Sequence, residues 1–239
     1  MKQFVLLVAR VCLVLLAVTA SVYADLEDGL VAYWSFEGGE VTDHTGNGNN
    51  GLIFGSPSTV PGVSGDALFF NGVNDYADCG NTSSINITGD QLSLCAWIRM
   101  PDPHTNDYGA IISKGPVWTP MDVSDYFSYT LRTYEETNQV GGVTNSSSNN
   151  VVQVYSAVST DTWHFLTMVY DGVNQHLYIN GQEVATEPQS GTIKSSPRID
   201  GQHLTVGAVE SEGSYQGYFF HGAIDEARIY DRALAPEEV

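Results

Sequence analysis

The stretch WHFLTMVYDGVNQHLYINGQEVAT, Trp163 to Thr186, decides the fold. Asn180-Gly181 supplies the two positive-φ positions of a type I′ turn, so Leu177–Ile179 and Glu183–Ala185 read as the arms of a hairpin. Asp171-Gly172, in YDGVNQ, marks a second tight turn, and the whole stretch becomes a three-stranded antiparallel meander. The same grammar recurs along the chain in LVAYWSF, ALFFNG, DYADCG, LSLCAWIRM, AIISKG, YFSYTLRTY, VVQVYSAV, HLTVGAV and AIDEARIYD. No segment keeps a helical apolar period, and about eleven short, closely spaced strands predict an all-β sandwich or barrel. GPVWTPMDVSDY and GGVTNSSSNN interrupt the pattern and read as surface loops, where binding residues tend to lie.

The first 24 of the 239 residues read as a signal peptide rather than as fold. Lys2 and Arg10 flank an apolar stretch, and VCLVLLAVTASVYA ends in compact residues before Asp25. The competing reading is a membrane anchor that tolerates Arg10. Removal of this segment leaves a single domain over residues 25–239, secreted or at the cell surface and without further membrane attachment. It also takes the formal net charge from -19 to -21, because Lys2 and Arg10 leave with it. So acidic a surface argues against nucleic acid and anionic membranes as partners, while it suits divalent cations. Cys79 and Cys95 are the remaining cysteines. Secretion permits a disulfide between them; two buried thiols that never meet is the other reading.

Near the C-terminus, GAIDEARIYDRAL (Gly222–Leu234) holds three carboxylates among core-forming residues. Strict alternation puts Asp225 on the face of Ala227 and Ile229, and Glu226 on that of Arg228 and Tyr230. Glu226 and Arg228 are then spaced for an ion pair. An unpaired carboxylate among apolar side chains needs a partner, a proton or a metal. Upstream, DHTGNGNNG (Asp43–Gly51) sets a carboxylate and three amide side chains in a glycine-rich loop, which suits an oxygen-ligated cation or an Asx turn without one.

Five blocks, LVAYWSFEGGEVTDHTGNGNNG, ALFFNGVNDYADCG, LSLCAWIRM, WHFLTMVYDGVNQHLYINGQEV and GAIDEARIYDRALAPEEV, resemble in order and spacing the laminin-G-like jelly-roll domains of the concanavalin A-like lectin/glucanase superfamily. The resemblance runs from about Gly29 to the end. It implies an all-β fold of two antiparallel sheets packed as a β-sandwich, with the first and last strands adjacent. It also implies a structural calcium held by an acidic residue of the last strand and by oxygens of the N-terminal segment. Asp225 matches that acid, and its candidate partners are Glu37, Asp43 and, through backbone carbonyls, Asn71 or Gly72.

Some members of that superfamily hydrolyse glucans with carboxylates at alternate positions of one strand, E-x-D-x-E, and no stretch here has that pattern. Asp225 and Glu226 are consecutive, as are Glu135 and Glu136. The expectation is therefore a non-catalytic binding module for a glycan or an extracellular protein, one part of a larger polypeptide. A glycan-cleaving hydrolase and a purely structural module are the alternatives. Sugars stack on exposed aromatic rings beside amides, which singles out Trp118, Tyr126, Tyr134 and Tyr215 in or beside the long loops. Trp34, Trp97 and Trp163 fall within strands and fit core packing better.

Overall fold

A computed structural model describes residues 26–102, 108–115, 128–134, 138–147, 151–194, 202–209 and 218–239. The strands among them are β1 (Leu30–Trp34), β2 (Leu52–Phe54), β3 (Ser58–Pro61), β4 (Asp66–Asn71), β5 (Tyr76–Asp78), β6 (Leu92–Arg99), β7 (Ala110–Lys114), β8 (Tyr129–Tyr134), β9 (Gln139–Asn145), β10 (Val151–Ala157), β11 (His164–Tyr170), β12 (Asn174–Ile179), β13 (Gln182–Pro188), β14 (Leu204–Val206) and β15 (His221–Tyr230). They form two antiparallel sheets. The first has the order β13-β12-β11-β6-β15-β4-β3 with β1 also on β15, and the second β10-β9-β8-β7-β14-β5-β2. This is the two-layer sandwich that the strand-rich sequence predicts.

The meander forms as read. β11, β12 and β13 are neighbours, and Asn180 and Gly181 sit at φ 53° and 77°, the mirror-image turn that matches strand twist. At the preceding turn Asp171 Oδ1 accepts from the N–H groups of Val173 (2.8 Å) and Asn174 (2.6 Å). One continuous core fills the space between the sheets, with Trp34, Phe36, Phe70, Leu94, Ile98, Tyr129 and Met168 buried in it. Its polar tips are satisfied: Trp34 Nε1 donates to the Asn49 carbonyl (2.8 Å) and the Tyr129 hydroxyl to that of Ile85 (2.7 Å).

Two sequence expectations change here, and one open alternative closes. GGVTN is strand, not loop tip: β9 pairs with β8 over its whole length and with β10 through Gln139–Asn145. Its glycines leave room for neighbours, and any side chain at Gly142 would run into Met168 in the core.

Alternation along the last strand also breaks. Between Asp225 and Arg228 the pairing of β15 with β6 shifts register, and Glu226 takes φ 51° in the left-handed region. Ile224, Ala227 and Ile229 therefore share the core side, and Asp225 does not lie among them.

The cysteines, finally, are both free and buried. Cys79 belongs to the core between the sheets, whereas Cys95 lies on the opposite face of β6, packed with Val169, Tyr178, Tyr230 and Leu234. Strand layers pack about 10 Å apart, beyond the roughly 7 Å between Cα atoms that a disulfide spans. Unfolding the purified protein in denaturant without reductant should let iodoacetamide alkylate both Cys79 and Cys95, as read by peptide mass spectrometry. An intramolecular disulfide between them would contradict this layer assignment.

Candidate functional site

Asp225 is fully buried, opposite Trp97 on β6. The turn between β3 and β4 closes over it: Asp225 Oδ2 accepts from the backbone N–H groups of Val63 (2.7 Å) and Ser64 (3.1 Å). Its other oxygen, Oδ1, is buried without a hydrogen-bond partner. Burial pushes the carboxyl above the ordinary range, and the Ser64 and Val63 donors pull it partly back. One bulge residue away, the Glu226 carboxylate takes a different environment. It accepts from the Tyr33 hydroxyl (3.0 Å to each oxygen) and pairs with Arg228, the ion pair that the spacing predicted.

Glu37 reaches the same turn from the N-terminal side. Its carboxylate accepts from Asp66 N–H (3.3 Å), while Asp66 Oδ2 accepts from Gly38 N–H (3.1 Å). Glu37 and Asp225 thus grip one turn, residues 62–66, from opposite ends. Asp43 and Asn71 do other work. Asp43 accepts from the N–H groups of Tyr33 (3.2 Å), Thr45 (3.0 Å) and Asn49 (3.0 Å), and these donors outweigh burial and hold its carboxyl below the ordinary range. Asn71 Oδ1 caps the turn at Val73 (2.8 Å) and Asn74 (3.0 Å), at the far end of β4 from Asp66. Five residue steps of strand, about 17 Å, separate that cap from the Asp66 end. No group of three or more His, Cys, Asp or Glu side chains that could hold a metal ion occurs among the described residues. A calcium ion at the β3–β4 turn therefore fits only if Asp225 Oδ1 is supplemented chiefly by main-chain or amide oxygens, a mixed set that calcium accepts.

The second sheet carries a different feature on its outer face. Arg132 on β8, Gly141 on β9 and Tyr155 on β10 stand in one row across the strands. A side chain at Gly141 would clash with the Tyr155 ring, so glycine leaves a trough that Arg132 crosses. Its Nε donates to the Tyr155 hydroxyl (2.9 Å), and its guanidinium lies 4.9 Å from the Tyr108 ring centroid. Tyr134, two residues along β8 and so on the same face, packs 4.3 Å from Tyr155 and stands edge-on to Tyr108 (5.5 Å, 89°). Tyr218 meets Tyr108 edge-on from the other side (5.7 Å, 81°). All four rings are partly exposed. Tyr108 (φ 51°) and Tyr218 (φ 55°) are held in the left-handed region, a costly conformation for bulky side chains and one that clusters at binding sites. Burial pushes the Tyr155 phenol up to about 12 despite the Arg132 charge beside it.

Of the expected aromatic residues, Tyr134 belongs to this cluster, while Trp118, Tyr126 and Tyr215 lie outside the described residues. Trp34 is core; Trp97 and Trp163 are half-buried, against Phe165 and under Arg99 respectively. Sequence reasoning missed Arg132 and Tyr155. The signal for them is the register of β8–β9–β10, which a loop reading of GGVTN hides.

No curated protein sequence matches the chain significantly. Solved structures do. The binding domain of Paraclostridial Mosquitocidal Protein 1 superposes with a TM-score of 0.67 at 16% identity, over 89% of this chain and 51% of that one. Domain 4 of AbnA, a GH43 extracellular arabinanase from Geobacillus stearothermophilus, in complex with arabinotriose, gives 0.63 at 20% identity, over 87% and 95%. The botulinum neurotoxin serotype G binding domain gives 0.62 at 16% identity, over 87% and 49%. The chain spans about half the length of these toxin domains. At such identities the likeness establishes the fold. The jelly-roll sandwich coincides with a match of residues 71–239 to a laminin-G family model, and the protein belongs to that family, within the concanavalin A-like lectin/glucanases superfamily.

Proposed function

We propose that the protein is a secreted, non-catalytic module that recognises carbohydrate through the outer face of its second sheet, with one structural calcium under the β3–β4 turn. The observation that carries the reading is the row Arg132–Gly141–Tyr155 with Tyr134, Tyr108 and Tyr218 around it. Partly exposed rings offer surfaces for the C–H faces of sugars, and the guanidinium and phenol groups offer hydrogen bonds to hydroxyls. The arabinanase domain solved with arabinotriose and the toxin binding domains support a binding role for the shared architecture. In this reading the calcium meets Asp225 Oδ1, with Glu37 and Asp66 the further carboxylates at the turn, and fastens the last strand to the N-terminal segment. A screen of a glycan array, with and without chelator, tests the reading, and failure to bind any glycan in either condition would sink it.

Two outcomes follow for variants. Tyr134→Ala should weaken binding of the best glycan about tenfold, equivalent to ~1.4 kcal/mol, in titration calorimetry, with an unchanged melting temperature. Unaltered affinity would remove the second-sheet face from the reading.

For Asp225 the sign of the pH effect is fixed by the raised carboxyl. Between the unfolded value and the higher folded one the native state binds more protons, so this group's contribution falls as pH rises through that window. In chelator, Asp225→Asn should therefore gain in melting temperature relative to the parent as pH rises above the ordinary carboxylate range. With calcium at about a hundred times its dissociation constant the parent should gain ~2.7 kcal/mol, or about 5–10 °C, and the variant should not. Equal melting temperatures of the parent with calcium and with chelator would rule out the calcium.

A further inference from the structure

On the outer face of the first sheet, opposite the aromatic row, the N- and C-terminal segments bank a hollow of about 400 Å³ against β6, β11 and β15. Its walls are Leu26, Leu30, Phe165, Tyr230 and Leu234, and its floor includes the buried Cys95 thiol. These walls continue the apolar cluster that Val169 and Tyr178 complete. The size falls within the range of pockets that take small organic ligands, about 300–1,000 Å³.

Three charged side chains line the hollow, Glu27, Arg228 and Glu238. Two are neutralised in place. Arg228 pairs with Glu226 and stacks on the Tyr33 ring at 4.2 Å, while Glu238 takes both guanidinium ends of Arg232, at 2.7 and 2.8 Å. Glu27 is exposed at the rim, and no cation pairs with it among the described residues. One uncompensated negative charge is thus set at the mouth of an apolar cavity.

We infer that this hollow is a second binding site, for a small cation with an apolar aromatic or alkyl body, whose body fills the Leu26–Phe165–Tyr230 walls and whose charge meets Glu27. Tyr33 and Arg228 form one side of the cavity, and Glu226 holds both of them in place from behind it. Among the described residues that line it, anions find no unpaired positive charge. Because Glu27 is exposed, its attraction is screened, and it contributes selectivity more than affinity.

Titration calorimetry near neutral pH with 4-phenylbutylammonium, the neutral 4-phenylbutanol and the anionic 4-phenylbutyrate tests this. The expected order is ammonium, then alcohol, then carboxylate, with the ammonium binding at about 1 mM or tighter. Glu27→Gln should weaken the ammonium about threefold and leave the alcohol unchanged. Leu26→Trp, at a half-buried rim position, should fill the hollow and abolish both, with circular dichroism melts showing that the variant is folded. Carboxylate bound as tightly as ammonium, binding that survives Leu26→Trp in a folded protein, or no binding of any probe would each overturn the inference.

Discussion

Glu226 stands in the left-handed region, φ 51°, midway along the longest strand, and the side chains on either side of it depend on that one extra residue. β15 is the strand on which the first sheet is assembled. Its first half pairs with β4, its second half with β1, and β6 lies along both. A strand in perfect alternation cannot send Ile224 and Ala227 to the same side, because they are three apart. The bulge absorbs the odd residue, so both halves face the core with apolar side chains. Without it, one half would present Asp225 or Arg228 to the core. The cost of a non-glycine residue at positive φ, about 1–3 kcal/mol, is small beside that of burying such a charge unpaired.

From this constraint the local electrostatics follow. The bulge delivers the Glu226 carboxylate to Tyr33 and Arg228, where a hydroxyl and a guanidinium satisfy it. Asp225 instead lands under a turn whose main-chain N–H groups serve only one of its oxygens. Two consecutive acids therefore have opposite fates. The first is buried with half its acceptor capacity unused, and the second is held in a hydrogen-bonded ion pair. Glu37 approaches the same turn through Asp66, so the turn ties the N-terminal segment to the final strand.

How much of this the sequence discloses depends on whether the determinant is local. The Asn180-Gly181 hairpin is legible because two adjacent residues fix the turn, and the turn fixes the register. The sandwich is legible because many short alternating runs leave little else to build. The bulge is not, since the mismatch between β15 and β6 exists only once the strands pair, across more than a hundred residues of chain. β9 escapes for a related reason. Gly141 and Gly142 weaken a strand in isolation, and their value appears only against Tyr155 and Met168 on neighbouring strands. Tyr134 was found because it borders a long loop, while Arg132, two residues earlier, needs the register of three strands to acquire its role.

The same geometry bears on chemistry at the last strand. A glycosidase acid must touch the glycosidic oxygen, and its partner carboxylate must stand about 5–9.5 Å from that acid on the other side of the sugar, depending on stereochemical outcome. Asp225 has no solvent-accessible surface beneath the 62–65 turn, and Glu226 is committed to Tyr33 and Arg228. Neither can approach a substrate without unmaking the contacts that hold β15 to its neighbours. These two acids are therefore fold-forming groups, and the aromatic row stands apart from them on the outer face of the other sheet, where strand register sets Arg132, Tyr134 and Tyr155 and left-handed backbone sets Tyr108 and Tyr218. One layer carries the joint between the first and last strands, and the aromatic row lies on the other layer, away from that joint.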